Sequence, residues 1–123
     1  MSVENTIDAV RLALKLHETR AHVASMNVSN AGKPDATAMR VDFAKVEAAL
    51  REVANAGSES EAVRWLQSAA NEMRAADPQG TLDPIRLDEQ MGHIATAGVE
   101  YQALTEALSR QFGLMRIAVT GRP

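Results

Sequence analysis

Between Leu87 and Val119 the chain places a hydrophobic or small residue at strictly alternating steps of four and three. The row is Leu87, Met91, Ile94, Gly98, Tyr101, Thr105, Leu108, Phe112, Met115 and Val119, and only Gly98 and Thr105 weaken it. A heptad-like row sustained over four heptads predicts a long helix with a coiled-coil-like seam. At 1.5 Å per residue, a helix over 88–119 is roughly 48 Å long. A compact body of 123 residues is narrower than that. Part of such a helix is expected to project or to pack on another chain.

The opposite end of the chain supplies a partner. Ile7, Val10, Leu14, Ala21, Ala24 and Val28 recur at helical steps, with His17 interrupting the row, and Leu12, Leu16, Val23 and Met26 form an adjacent stripe. So wide an apolar face predicts an N-terminal helix over 6–29 that touches more than one neighbour. Asn30-Ala31-Gly32-Lys33-Pro34 stops it, and 30–41 reads as a loop.

Two shorter helices are expected in 42–76. Asp42 is a candidate N-cap for the first, whose stripe is Phe43, Val46, Leu50 and Val53. Ser58 and Glu61 form a capping-box pattern ahead of Val63, Leu66, Ala70 and Met73. Asp77 to Arg86, with Pro78, Gly80 and Pro84, reads as a linker over 77–86. No segment carries a convincing strand signal. The expected fold is all-α and a single domain over 1–123. Its long terminal helices form an antiparallel hairpin or coiled coil, with one or two short helices between. An alanine count of 22 against 3% aromatic residues suits helices packed closely along their length.

Composition narrows the function. A net charge of −3 leaves no basic stripe for nucleic acid. Without cysteine there is no disulfide, thiolate metal site or thiol nucleophile. No apolar run reaches the length of a membrane span, and Glu4 and Asp8 stand where a secretory signal carries basic residues. The expected location is the cytoplasm, or a destination reached by export without signal cleavage. His17 and His22 look like a metalloprotease helix motif but are spaced by five, about 140° apart around a helix, so they cannot share a metal. Glu59, Glu61, Asp83, Asp88 and Glu89 read as helix-terminal or linker charge rather than an acid–base pair. Trp65 reads as a core anchor for the middle helices. Gly98 leaves a gap that either is tolerated or admits a neighbouring helix. No enzyme and no cofactor is expected.

Two motifs carry a family resemblance. Asn27, Val28, Ser29, Asn30, Ala31 and Pro34 fall in register with an S-x-N-I-A-N-A-x-T-P-G-Y pattern, and Val41-Asp42-Phe43 follows at the family distance. Leu87, Asp88 and Met91, then Tyr101-Gln102-Ala103-Leu104 and Phe112, follow a second pattern near the other end. In these segments, about half the chain, it resembles the flagellar basal-body rod proteins, the proximal-rod protein B members in particular. It departs from them where Pro-Gly-Tyr becomes Pro34-Asp35-Ala36 and where an acidic residue becomes Gln90, as a divergent member would.

The resemblance implies a non-enzymatic structural subunit. It would be exported by the flagellar type III apparatus and polymerised through its terminal helices into the periplasmic rod, against other rod subunits or itself. The expected assembly seam is Ile7, Val10, Leu14, Met91, Ile94, Tyr101, Leu108, Phe112 and Met115. The expected motif residues are Asn27, Asn30, Pro34, Phe43, Tyr101, Gln102 and Leu104. The rival expectation is a small cytoplasmic helical binding module, such as a secretion chaperone or adaptor.

Overall fold

The computed structural model describes residues 1–121. Four helices and two strands follow in the order α1 (Val3–Asn30), β1 (Thr37–Arg40), α2 (Ala44–Ala54), α3 (Glu59–Ala75), β2 (Gln79–Pro84) and α4 (Leu87–Thr120). The protein is mostly helical, and the two long terminal helices pack on one another, as the sequence pattern requires. At 1.5 Å per residue α1 is about 42 Å long and α4 about 51 Å.

The pairing is antiparallel. Asn27 of α1 meets Gln90 of α4, while ten residues earlier in α1 and ten later in α4 His17 meets Glu100. Continued at that pitch, Val3 lies level with Leu114, so α4 runs beside α1 over nearly all its length. It does not project as its length alone suggested.

α1 is the central element. Its Leu16 closes a core with Phe43, Val46 of α2 and Met73 of α3, against which Leu12, Val41, Leu50 and Ala76 also pack. Small residues face one another between α2 and α3: Ala49 on one helix, Ala62 and Ala69 on the other, all buried. Such side chains let two helices approach closely. Arg20 holds this layer to α1 by lying over the Phe43 ring, 5.4 Å from its centroid, while pairing with Glu47. Trp65, expected in the core, is only half-buried and lies outside the cluster.

The expected absence of strands is corrected. The presumed loop 30–41 contains β1 and the presumed linker 77–86 contains β2, paired antiparallel with Met39 opposite Gly80 and Arg40 opposite Gln79. The register shifts between Thr37 and Met39. Thr81 Oγ1 donates to the Ala38 carbonyl at 2.7 Å, and Arg40 Nη1 pairs with Asp83 Oδ2 at 3.0 Å. Two strands alone are marginal in water, so this ribbon depends on what it packs against.

Side-chain caps set the starts of α1 and α3. Ser2 caps α1, which starts at Val3 rather than at residue 6, by accepting from the Asn5 N–H at 3.1 Å. Asp42, the expected N-cap of α2, stands one residue too early: the N-cap is Phe43, and the Asp42 carboxylate accepts from the Ala44 N–H at 2.9 Å in the turn before it. Ser58 caps α3 by accepting from the Glu61 N–H at 3.2 Å, but the Glu61 carboxylate accepts from the Gly57 N–H, one residue before the reciprocal partner of the expected box.

Asp35 adopts a left-handed backbone, φ 58°, where the resembling family has glycine. Asp tolerates this conformation better than most residues. The tight turn after α1 is therefore formed without the glycine.

Two predictions follow from these termini. Asp35 is exposed, so only its backbone is at stake. Asp35→Val is expected to lower the unfolding free energy by about 1–2 kcal/mol while Asp35→Gly does not, read by urea denaturation. Glu59 is held below the ordinary carboxylate range by the Ser2 backbone N–H, and further by the N-terminal ammonium and the Asn5 amide. A depressed folded-state pKa contributes stability that is present at neutral pH and lost as pH falls through that value. Glu59→Gln should therefore lower the melting temperature at neutral pH, and the difference from wild type should vanish as pH falls, which flattens the acid side of the profile.

Candidate functional surface

The terminal-helix motifs meet at a buried amide pair. Asn27, in the last turn of α1, is 2% exposed, and Gln90, in the first turn of α4, is 7% exposed. Asn27 Nδ2 donates to the Met39 carbonyl at 2.9 Å and to Gln90 Oε1 at 2.9 Å. Asn27 Oδ1 accepts from the Met39 N–H at 2.8 Å. A primary amide has two donors, and here both are used. Towards Met39 it does what a third strand would do, satisfying both backbone groups of a residue on the free edge of β1. Thus one side chain ties α1 to the sheet and to α4. Gln90, where the family has an acid, accepts from Asn27 without placing a charge in a buried site.

The other motif residues divide by role. Phe43 is core. Asn30 ends α1, and its carbonyl accepts from the Lys33 N–H at 3.0 Å as the chain turns. Pro34 lies exposed on that turn. Leu104 is half-buried, whereas Tyr101 and Gln102 are exposed on α4.

The expected assembly seam is split. Among the described residues, α1 is the only helix or strand packed against α4. The buried or half-buried residues of α4 are Gln90, Ile94, Ala97, Leu104, Leu108, Gln111 and Met115, with Glu89 and Gly113 beside them. Ile94, Leu108 and Met115 therefore belong to the intramolecular seam with α1. Met91 and Phe112 do not, being 56% and 48% exposed. On α1, Ile7, Val10 and Leu14 are half-buried. Ile7 and Leu14 stand on the side of α1 opposite Leu12, Leu16 and Val23, at 100° per residue.

The physical cause is arithmetic. The heptad reading alternates at a mean of 3.5 residues, and the side facing α1 follows the same period, but shifted by one residue at 97, 104 and 111. The row at 91, 98, 105, 112 and 119 is left outside. Leu87, Val99, Leu114, Ile117 and Val119 add further exposed apolar surface to α4.

A cleft of about 610 Å³ opens on the other flank of α4, against α1 and β1. Its floor includes Val23, Ala24, Phe43 and Ala97. Its charged groups are already engaged. Arg20 pairs with Glu47, Arg40 with Asp83, and His93 Nε2 lies 3.6 Å from Glu89 Oε1. Glu100 Oε2 lies 2.9 Å from His17 Nδ1, close in distance but outside hydrogen-bond alignment. Nothing in this set pairs a nucleophile with a base. Among the described residues no helix is long and apolar enough to cross a membrane.

No family model, curated protein or solved structure matches the chain. The family resemblance thus rests on the motif residues themselves.

The amide junction gives a direct test. Asn27→Leu keeps the side chain's branching and heavy-atom count but strands the Met39 N–H and carbonyl. It is expected to cost about 3 kcal/mol in urea denaturation and to speed hydrogen exchange at Met39. Gln90→Leu strands one donor and should cost less than half as much.

Proposed function

We propose that the chain is a structural subunit of the bacterial flagellar proximal rod. In this reading it is a non-enzymatic protein that leaves the cytoplasm through the flagellar type III apparatus. In the periplasm it packs through its terminal helices against other rod subunits.

The observation that carries the proposal is the uncovered apolar surface of α4, with Met91, Phe112 and Val119 on one face, on a helix that among the described residues packs only against α1. Isolated exposed apolar residues are ordinary, but several on one face of a long helix mark an interaction surface. The motif residues support the same reading. Asn27 ties the two terminal helices to one another, and Phe43 ties α1 to the middle helices, so the surface is presented on a braced hairpin.

The second reading, a cytoplasmic helical adaptor or secretion chaperone, is favoured by one observation. The α1–α4 hairpin is already closed within one copy, by the Asn27–Gln90 bond and the seam along α4. Limited proteolysis separates the two. A rod subunit awaiting its neighbours is cut first in α4, whereas an adaptor resists throughout.

The decisive experiment is an immunoblot of detergent-purified hook–basal bodies from a motile strain carrying a tagged copy. The rod reading requires the protein in fixed ratio to the hook. Retention in the cytosol beside complete basal bodies overturns it. Phe112→Asp places a charge on a half-exposed position and leaves the intramolecular seam intact. It is expected to abolish incorporation and swimming while secretion continues, measured by blotting culture medium. Leu108→Asp is the poorer probe, since Leu108 is part of the seam with α1.

A further inference from the structure

We infer that the exposed row of α4 binds a second copy of this chain, as an antiparallel two-fold pair centred on Thr105. The inference uses the same apolar face as the rod reading but not its flagellar setting.

The row runs Met91, Gly98, Thr105, Phe112 and Val119, each seven residues from the next and all exposed. Reversed about Thr105, it is complementary to itself. Phe112 of each copy meets the gap at Gly98 of the other, Met91 meets Val119, and Thr105 meets its own counterpart on the axis. A two-fold interface requires this self-complementarity. Large side chains set against small ones are how packed layers interdigitate. The gap at Gly98 serves nothing inside the monomer, because a Cβ built there would meet no atom within 4 Å.

Charge favours the same direction. The acidic residues of α4 are Asp88, Glu89, Glu100 and Glu106, all in its first two-thirds, and Arg110 and Arg116 follow. Parallel copies would set like charges against like, whereas antiparallel copies bring the acidic part of each to the basic part of the other. A strip symmetric about Thr105, from Met91 to Val119, is about 42 Å long and about 10 Å wide, roughly 420 Å² per copy. Both copies together bury roughly 840 Å², the size of a weak, reversible pair.

The experiment is sedimentation of the purified full-length chain over a wide concentration range, for wild type and Gly98→Leu. Wild type is expected to reach twice the monomer mass. Gly98→Leu adds apolar surface and removes a helix-weakening glycine, so unspecific stickiness would make it associate more tightly. The two-fold fit instead requires it to dissociate about tenfold more readily or worse.

Because the chain has no cysteine, Thr105→Cys and Ala103→Cys each present a single thiol. A short thiol cross-linker should join copies at Thr105, on the axis, and not at Ala103, on the far face. A monomer at every concentration, tighter association of Gly98→Leu, or equal cross-linking at both thiols overturns the pair. A monomer that still enters basal bodies removes the pair and leaves the rod reading. A dimer with the expected variants that never enters them removes the rod reading and leaves the pair.

Discussion

The amide of Asn27 is the constraint on which the rest of the architecture depends. β2 packs on no element other than β1, and β1 reaches the helices only through α1. The ribbon is too small to be stable alone. What holds it is the pair of hydrogen bonds from Asn27 to Met39, whose remaining donor continues to Gln90. Buried polar groups are costly unless each finds a partner, and a completed set fixes geometry in a way that apolar contact does not. The set lies where the chain enters α4, so it decides the level at which α4 lies against α1. The same register then brings His17 beside Glu100 ten residues further along.

α1 and α4 are similar in length but differ in how many neighbours they have. α1 turns Leu12 and Leu16 to the middle-helix layer and Asn27 to the sheet, with α4 along a further side. Its wide apolar face is thereby used on several sides. α4 is apolar over much of its circumference, yet only α1 covers it. A helix apolar on several sides is usually found in the middle of a larger body. Here that body is absent from the single chain, and the surplus apolar surface stands on the outside.

The long-range features legible in the sequence were those carried by repeated signals. The two terminal helices announce themselves through many turns of periodicity, and the start of α3 through Ser58 and the acidic residues after it. The strands gave no such signal. β1 is four residues, with Thr37, Ala38, Met39 and Arg40 too few to establish a period of two. β2 contains Gly80 and ends at Pro84, residues that ordinarily argue against a strand. Both depend on Asn27, twelve residues before Met39 of β1 and far before β2, which no local pattern records. Asp35 shows the converse. Asp35 stands where the resembled pattern has glycine, yet it adopts the left-handed backbone. Which face of α4 meets α1 was left open by the sequence for a third reason. Two rows one residue apart, 98-105-112 and 97-104-111, each hold one large apolar residue, Phe112 or Leu104, beside smaller or polar ones. Only the position of α1 decides which is covered.

The glycines of α4 bear on why the outer row is left open. Gly92, Gly98 and Gly113 all lie inside this helix, and a Cβ at any of them would meet nothing within 4 Å. Each lowers helix stability by about 1 kcal/mol relative to alanine. None is needed for close packing within the monomer, and none has a positive φ. α4 therefore forgoes intrinsic helix stability at three positions without an intramolecular return. Its helical state rests on contact along α1 instead. A helix that depends on its neighbours in this way, and exposes an apolar row interrupted by a gap, gains most from a second neighbour that fills that gap. Of the three glycines, Gly98 is the one on that row, so at this position local instability and the capacity to let another helix come close have one physical origin.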